Sequence, residues 1–282
     1  MSTEIRQQVT DDILNALAND LVPWQKPWLG HRNDGPPTNV LTNFSFRGIN
    51  RVLLQLASNR QGFKSKWWGT KKVWNVFGYQ VTPHQERTQV FYEVDGNLGT
   101  QAVFNAEQVE GPGIERYLVL QATAKRLPDY DAAERVIAAT NAHIRHMPRN
   151  GALYYRLPLD HIEMPLKTQF LEGTGKLPAY YGTLLHEANH WSEHRLRWCA
   201  DPHLSIKARY AIGEWRADLG SAFLADEIGI PLYHNPASHR MFGGQWMKLM
   251  KCDNTLVFRV ASAASEAASF ILSFSERQKH IA

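Results

Sequence analysis

The chain has 282 residues, 44% hydrophobic and 21% charged, with 14 Pro and 19 Gly dispersed along it; disordered, collagenous and low-complexity classes are excluded. That length fits one large domain or two ordinary ones, and two are favoured because single cores stop growing near this size. Net charge is +4, too small by itself to announce a polyanionic partner, and no apolar run reaches the roughly 18 residues that a membrane span needs, so no membrane partner is expected.

From the amino terminus, Ile5, Val9, Ile13, Leu14 and Leu17 fall at helical spacing, which predicts an amphipathic helix over 4–18 ended by Val22-Pro23. The same segment carries Glu4, Asp11, Asp12 and Asp20 in place of a basic-then-apolar leader, so a cytoplasmic protein is expected. Pro23-Trp24 and Pro27-Trp28 read as an extended turn packed on the domain. After Gly35-Pro36-Pro37 comes a turn at Thr42-Asn43, then a helix over 49–57 and a third over 67–77. Short alternating runs over 79–94 and 101–109, with Gly and Asn at the joints, predict a hairpin. The first half is therefore expected to be an α+β domain.

Charge and aromatic residues concentrate in that half. Between Lys26 and Lys72 nine basic residues face a single acid, Asp34, giving +8 there and about −4 over the rest. Five of the nine tryptophans (Trp24, Trp28, Trp67, Trp68, Trp74) lie in the first 74 residues, with Phe44, Phe46 and Phe63. Cations interleaved with flat rings suit single-stranded nucleic acid, whose phosphates need neutralising and whose bases need a surface to stack on, each stacked base contributing about 1–3 kcal/mol. The candidates are Trp24, Trp67 and Trp68 for stacking, with Arg47, Arg51, Lys71 and Lys72 on phosphates. The competing reading is tryptophans in a core beside a solvated basic face. Neither a groove-reading helix nor paired zinc ligands, as duplex readers use, is present in the pattern.

A polar joint carrying Pro128, Asp129 and Asp131 suggests a boundary that divides the chain into residues 1–125 and 126–282. Beyond it a helix is expected over 132–140, short strands over 153–155 and 161–164, and long helices over 180–195, 209–227 and 256–277. No internal repeat is evident. Cys199 and Cys252 stand in no CxxC pair and read as buried or idle thiols.

Within the 180–195 helix lies His186-Glu187-Ala188-Asn189-His190, an HExxH motif. Positions i and i+4 share a helix face, so two imidazoles can grip one ion while Glu187 between them serves as general base in peptide hydrolysis. Catalytic zinc needs a third protein ligand. A metzincin would put histidine at 196, which is Leu196; His194 would be a third ligand on consecutive turns and cannot converge on the same ion. Glu214 remains, with Asp218 one turn later on the next helix; Glu214 would bind the metal and Asp218 would orient a ligating imidazole, the reverse assignment being the lesser alternative. An ordinary acidic i,i+4 pair is the competing reading, although like charges at that spacing repel unless a cation bridges them. For an oxyanion donor the choices are Tyr210, Tyr233, His234 and His239.

The chain resembles the ArdC-type antirestriction proteins over nearly its whole length. The resemblance rests on Val22-Pro23-Trp24-Gln25-Lys26-Pro27-Trp28, on the stretch from Asn39 to Asn50 with Phe46-Arg47-Gly48-Ile49-Asn50, and on the stretch from Val103 to Gly111. It continues through 186–194 and 214–223. It implies an α+β protein of two domains, an amino-terminal single-stranded-DNA-binding domain and a carboxy-terminal, mostly helical zincin-like metallopeptidase domain. Such proteins, found on conjugative plasmids and related to the amino-terminal part of plasmid primases, are thought to protect incoming DNA from host restriction. The resemblance implies His186, His190 and Glu214 as ligands of one Zn2+ per chain, other divalent transition metals being alternatives, with Glu187 as base. Single-stranded DNA and a host restriction-system protein are the implied partners. The family commonly writes HELGH and, later, a glutamate pair with a further glutamate four residues on. This chain has Ala188-Asn189, Gly213 before Glu214, and Asp218, which leaves the ligand types intact. A DNA-protecting protein with an inactive zincin domain stands beside this reading as an alternative, as does a plain cytoplasmic metallopeptidase.

Overall fold

The structure, a computed structural model, describes residues 3–94, 97–120, 127–148, 150–155, 158–170, 176–231 and 236–279. The chain divides into two compact units, 1–127 and 128–282. Arg126, the first residue after the boundary expected from the sequence, lies outside the described residues.

In the first unit α1 (Thr3–Ala18) buries Val9, Ile13 and Ala16 and packs on α2 (Gly48–Gln61). Gly62 ends α2 in the left-handed region at φ 75°, where its N–H donates to Ser58 O. Strands β1 (Thr38–Asn39), β2 (Trp67–Gly69), β4 (Thr88–Val94) and β5 (Asn97–Asn105) form a sheet of order β1-β2-β5-β4, parallel only between β1 and β2. A second pair joins β3 (Gln80–Val81) to β6 (Val109–Glu110). The helix expected over 67–77 is corrected: α3 spans only Lys71–Val76, because Thr70 Oγ1 accepts from Val73 N at 3.2 Å and caps the helix there. The preceding Trp67-Trp68 is strand. Alternation sends Trp68 into a core with Leu54, Val90 and Val103, and Trp67 to the opposite side.

In the second unit Asp129 Oδ1 accepts from Ala132 N at 2.8 Å and starts α4 (Tyr130–Ala139). A three-stranded sheet of order β7-β9-β8 follows, from β7 (His143–Met147), β8 (Leu153–Tyr155) and β9 (His161–Pro165), with β8 antiparallel at one edge. β9 is buried at every position; β7 escaped the sequence pattern because His143, Arg145 and His146 are exposed. Helices α5 (Lys176–Arg195), α6 (Ile206–Ile228), α7 (Pro236–Cys252) and α8 (Leu256–Lys279) complete the unit. The sequence pattern also omitted α7, whose Gly243-Gly244 argues against helix. Trp246 anchors it: fully buried, it stacks on Trp215 at 5.7 Å between ring centroids and donates from Nε1 to Ala211 O at 2.7 Å. Over 256–276, α8 is long and apolar enough to cross a membrane by length and composition, which corrects the expectation from apolar runs. In this fold its residues Val257, Val260, Ala264, Ala267 and Ile271 are buried, and α8 packs on α6. Both cysteines are free and exposed, so of the two alternatives, buried or idle, burial does not hold.

α6 is buried on nearly all sides, as a helix packed by α5, α7 and α8 must be. Its approach to α5 depends on Gly220. A Cβ at that position would run into the side-chain amide of Asn189, and Asn189 is fully buried with that amide donating to Leu185 O at 2.8 Å. We therefore expect Gly220→Ala to cost about 1–3 kcal/mol through overpacking, read as a lower melting temperature, and Asn189→Ala in the same chain to recover most of it. A Gly220→Ala protein that melts with the wild type would contradict this packing.

Candidate functional site

One turn of α5 separates His186 from His190, so both rings leave the same face, and their Nε2 atoms come to 3.2 Å of each other. From α6, Glu214 Oε2 lies 3.4 Å from His186 Nε2 and Oε1 3.5 Å from His190 Nε2. Among the described residues, these three offer ligand atoms all within 4.8 Å of one another. Zinc–ligand bonds of about 2.0–2.1 Å put the corners of a tetrahedron about 3.3 Å apart, so the donor set fits a divalent ion. It opens into a cavity of about 510 Å³ lined also by Glu187, Tyr210 and Arg209.

The electrostatics follow from three acids and two imidazoles in little water. Burial works against a charged His190, yet hydrogen bonds to Glu193 and Glu214 prevail and raise its pKa to about 10. Burial would likewise raise Glu214, but the two histidines hold its carboxyl far below the usual range. Tyr210, one turn before Glu214, is pushed up to about 12 by burial and by the Glu214 and Glu187 carboxylates, so its hydroxyl stays protonated.

Three sequence expectations about the site need comment. The carboxylate on His190 Nδ1 is Glu193, at 2.8 Å and 3% exposed, an acid that the sequence reading did not name. Asp218 is buried one turn beyond Glu214 and is not one of the three converging residues. The signal for Glu193 was present as an acid three residues after His190. His194 is exposed on α5, as its exclusion from the ligand set requires. Of the oxyanion candidates Tyr210 lines the cavity, while Tyr233, His234 and the side chain of His239 lie outside the described residues.

In the first unit the fold separates the proposed DNA contacts. Trp68 is fully buried, Trp24 is 4% exposed and Arg51 5%, which corrects their assignment as contacts: rings and a guanidinium inside a core cannot meet a base or a phosphate. Trp67 is half-buried, donating from Nε1 to Asn33 Oδ1 at 2.9 Å with Lys66 Nζ 5.0 Å from its ring centre. Arg47, Lys71 and Lys72 are exposed. Phe44, counted with the tryptophans but not assigned as a contact, is 76% exposed, and Leu41 beside it is 58% exposed. They ride on a fixed turn: Asn39 Oδ1 accepts from Leu41 N at 2.9 Å, Asn39 N donates to Phe44 O at 2.9 Å, and Asn43 sits at φ 60°. Because β1 and β2 run parallel, this turn and the start of α3, with Lys71 and Lys72, leave the same end of the sheet.

An HExxH helix facing a glutamate on the following helix is the arrangement of a zincin-like metallopeptidase domain. Residues 131–263 match the family model for such a domain, and residues 3–111 match that for the N-terminal domain of anti-restriction factor ArdC. The chain is 31% identical over 96% of its length to a DNA primase TraC of Escherichia coli, of which it spans only 27%, about a quarter. It is 28% identical to the uncharacterized protein y4eC of Sinorhizobium fredii (strain NBRC 101917 / NGR234), covering 95% of this chain and 92% of that one. The crystal structures of the antirestriction ArdC protein from R388 plasmid, Mn(II)-bound and metal-free, superpose with TM-scores of 0.77 and 0.75 at 28% and 27% identity. Each covers 96% of this chain, which in turn covers 97% and 98% of theirs. The chain thus joins an ArdC-type amino-terminal domain to a zincin-like domain, the two-domain fold of the ArdC antirestriction protein.

The protonated His190 sets a sign. Its pKa lies above the ordinary 6.5, so its contribution to the metal-free fold is full below that pH and lost as pH rises through about 10. Metal uptake must expel that proton. Calorimetric titration of Zn2+ near neutral pH, repeated in buffers of different ionisation enthalpy, is expected to show net proton release and an affinity that climbs with pH. Uptake without proton release would contradict the arrangement.

Proposed function

We propose that the protein protects incoming plasmid DNA from host restriction in the cytoplasm, binding single-stranded DNA through residues 1–125 and holding one Zn2+ in residues 126–282. The observation that carries the metal half is the convergence of His186, His190 and Glu214. Two imidazoles and a carboxylate suit zinc, with other divalent transition metals as alternatives; the similar ArdC protein from R388 plasmid has a Mn(II)-bound structure.

When bound, the ion would supply Lewis acidity toward a carbonyl and lower the pKa of its water toward about 7. The chain's own residues do the rest. Glu187, 8% exposed on the same helix as the imidazoles and lining the cavity, takes the proton from the attacking water. Tyr210, kept protonated, donates to the developing oxyanion. Ala152, next to the edge strand β8, also lines the cavity, so an extended peptide can pair along β8 and reach the site. A host restriction-system protein is the target class.

For DNA, Phe44 offers the stacking ring and Lys71 and Lys72 the phosphate contacts at one end of the sheet, with Arg47 a further exposed cation for a phosphate. Truncating Phe44→Ala should weaken oligonucleotide binding by about 1–3 kcal/mol with little sequence preference. Lys71→Ala with Lys72→Ala should flatten the dependence of log affinity on log salt by about 1.4. Fluorescence anisotropy measures both, and a wild-type affinity indifferent to salt would end the DNA reading. The role itself is tested by transferring unmodified plasmid into restricting cells that express the chain. Increased recovery is expected, abolished by Glu187→Ala if hydrolysis is the working step; no protection by the wild type would overturn the proposal.

A further inference from the structure

Glu193 is nearly inaccessible, and a buried carboxylate is tolerated only where partners offset its desolvation. One partner is His190 Nδ1, 2.8 Å from Oε1. Another charge bearing on it is Arg216, fully buried on α6, whose guanidinium donates to Asn189 O and Ser192 Oγ, each at 2.9 Å, and lies 4.7 Å from the Trp198 ring centre. The third neighbour is a gap. Position 213, beside the ligand Glu214, is glycine, and a Cβ built there would stand 3.7 Å from Glu193 Oε1, an ordinary contact distance. The carboxylate thus reaches the space that a side chain at 213 would otherwise occupy.

Resting on the reading that His186, His190 and Glu214 hold a divalent ion, we propose that Glu193 is a positioning residue of the metal centre. It accepts the Nδ1–H of His190, so that Nε2 carries the lone pair facing His186 and Glu214, and it fixes the ring plane. Arg216 balances the charge of this acid from behind. A carboxylate at this point raises the basicity of the ligand and holds its tautomer, the role that outer carboxylates play at histidine-ligated metals.

The rival explanation is that Glu193 serves the fold alone, as counter-ion to Arg216. Removing both charges separates the two. Full-length protein is titrated with Co2+ alone and followed by its visible absorption, with the melting temperature of the metal-free form measured in parallel. Relative to Arg216→Met, the pair Glu193→Ala with Arg216→Met should bind Co2+ about 10–100-fold more weakly and show an altered band shape, whatever its melting temperature. Adding Gly213→Glu to that pair should restore most of the affinity, since a glutamate at 213 has the reach to deliver its carboxylate to the same place. Glu193→Gln, which keeps an acceptor for Nδ1–H, should stay within a few-fold of wild type. Equal affinity and an unchanged spectrum in the pair and in Arg216→Met would overturn the positioning role. A wild-type protein that takes up no Co2+ would overturn the metal reading itself, and this proposal with it.

Discussion

The close approach of α5 to α6 is the constraint on which the catalytic-type site depends. Two histidines on one helix can make only half of a coordination shell; the remainder has to come from another helix held within a few ångströms. Gly220 allows that approach by giving Asn189 room, and Arg216 reinforces it by donating across the interface to Asn189 O and Ser192 Oγ. These groups have no metal-binding chemistry of their own. They act by deciding that Glu214 meets the imidazoles at 3.4 and 3.5 Å.

Burying charge at that interface has consequences. Arg216, Glu193, His190 and Glu214 form a chain of alternating sign running from the helix contact to the open cavity, and each member would be costly if its neighbours were removed. Burial lowers the Arg216 pKa to about 10 despite Glu193 and Glu266 acting the other way, which measures how little water the group has. The same low-dielectric surroundings that make the network expensive also fix its geometry, because a side chain that must keep a partner has few orientations left.

The amino-terminal unit solves a different problem. Its tryptophans are used to build the domain: Trp68 fills the space between α2 and the sheet, and Trp74 closes a second cluster with Tyr79 and Val40. What reaches the surface is carried by a short turn locked through Asn39, with basic side chains nearby in the fold and distant in the sequence. A rigid scaffold presenting a few exposed groups on a turn is a common division of labour in binding domains.

The sequence by itself determined much of the chemistry in the second half. HExxH is a local pattern, and helical periodicity brings its two imidazoles to one face without help from the rest of the fold; the acidic pair on the next helix was legible for the same reason. Long periodic helices such as α5, α6 and α8 were equally readable. Tertiary structure alone decided the partners across space. It set Glu214 against the two imidazoles and Arg216 against Asn189 and Ser192, contacts that spacing along one helix does not specify. It also turned Trp67-Trp68 from helix into strand, and it formed α7 around Trp246 despite two adjacent glycines, because burial of that ring outweighs weak local propensity. Exposure was the least readable property: a tryptophan suits a core as well as a stacked base, and only the three-dimensional position of Trp24, Trp68 and Phe44 shows which ring faces water.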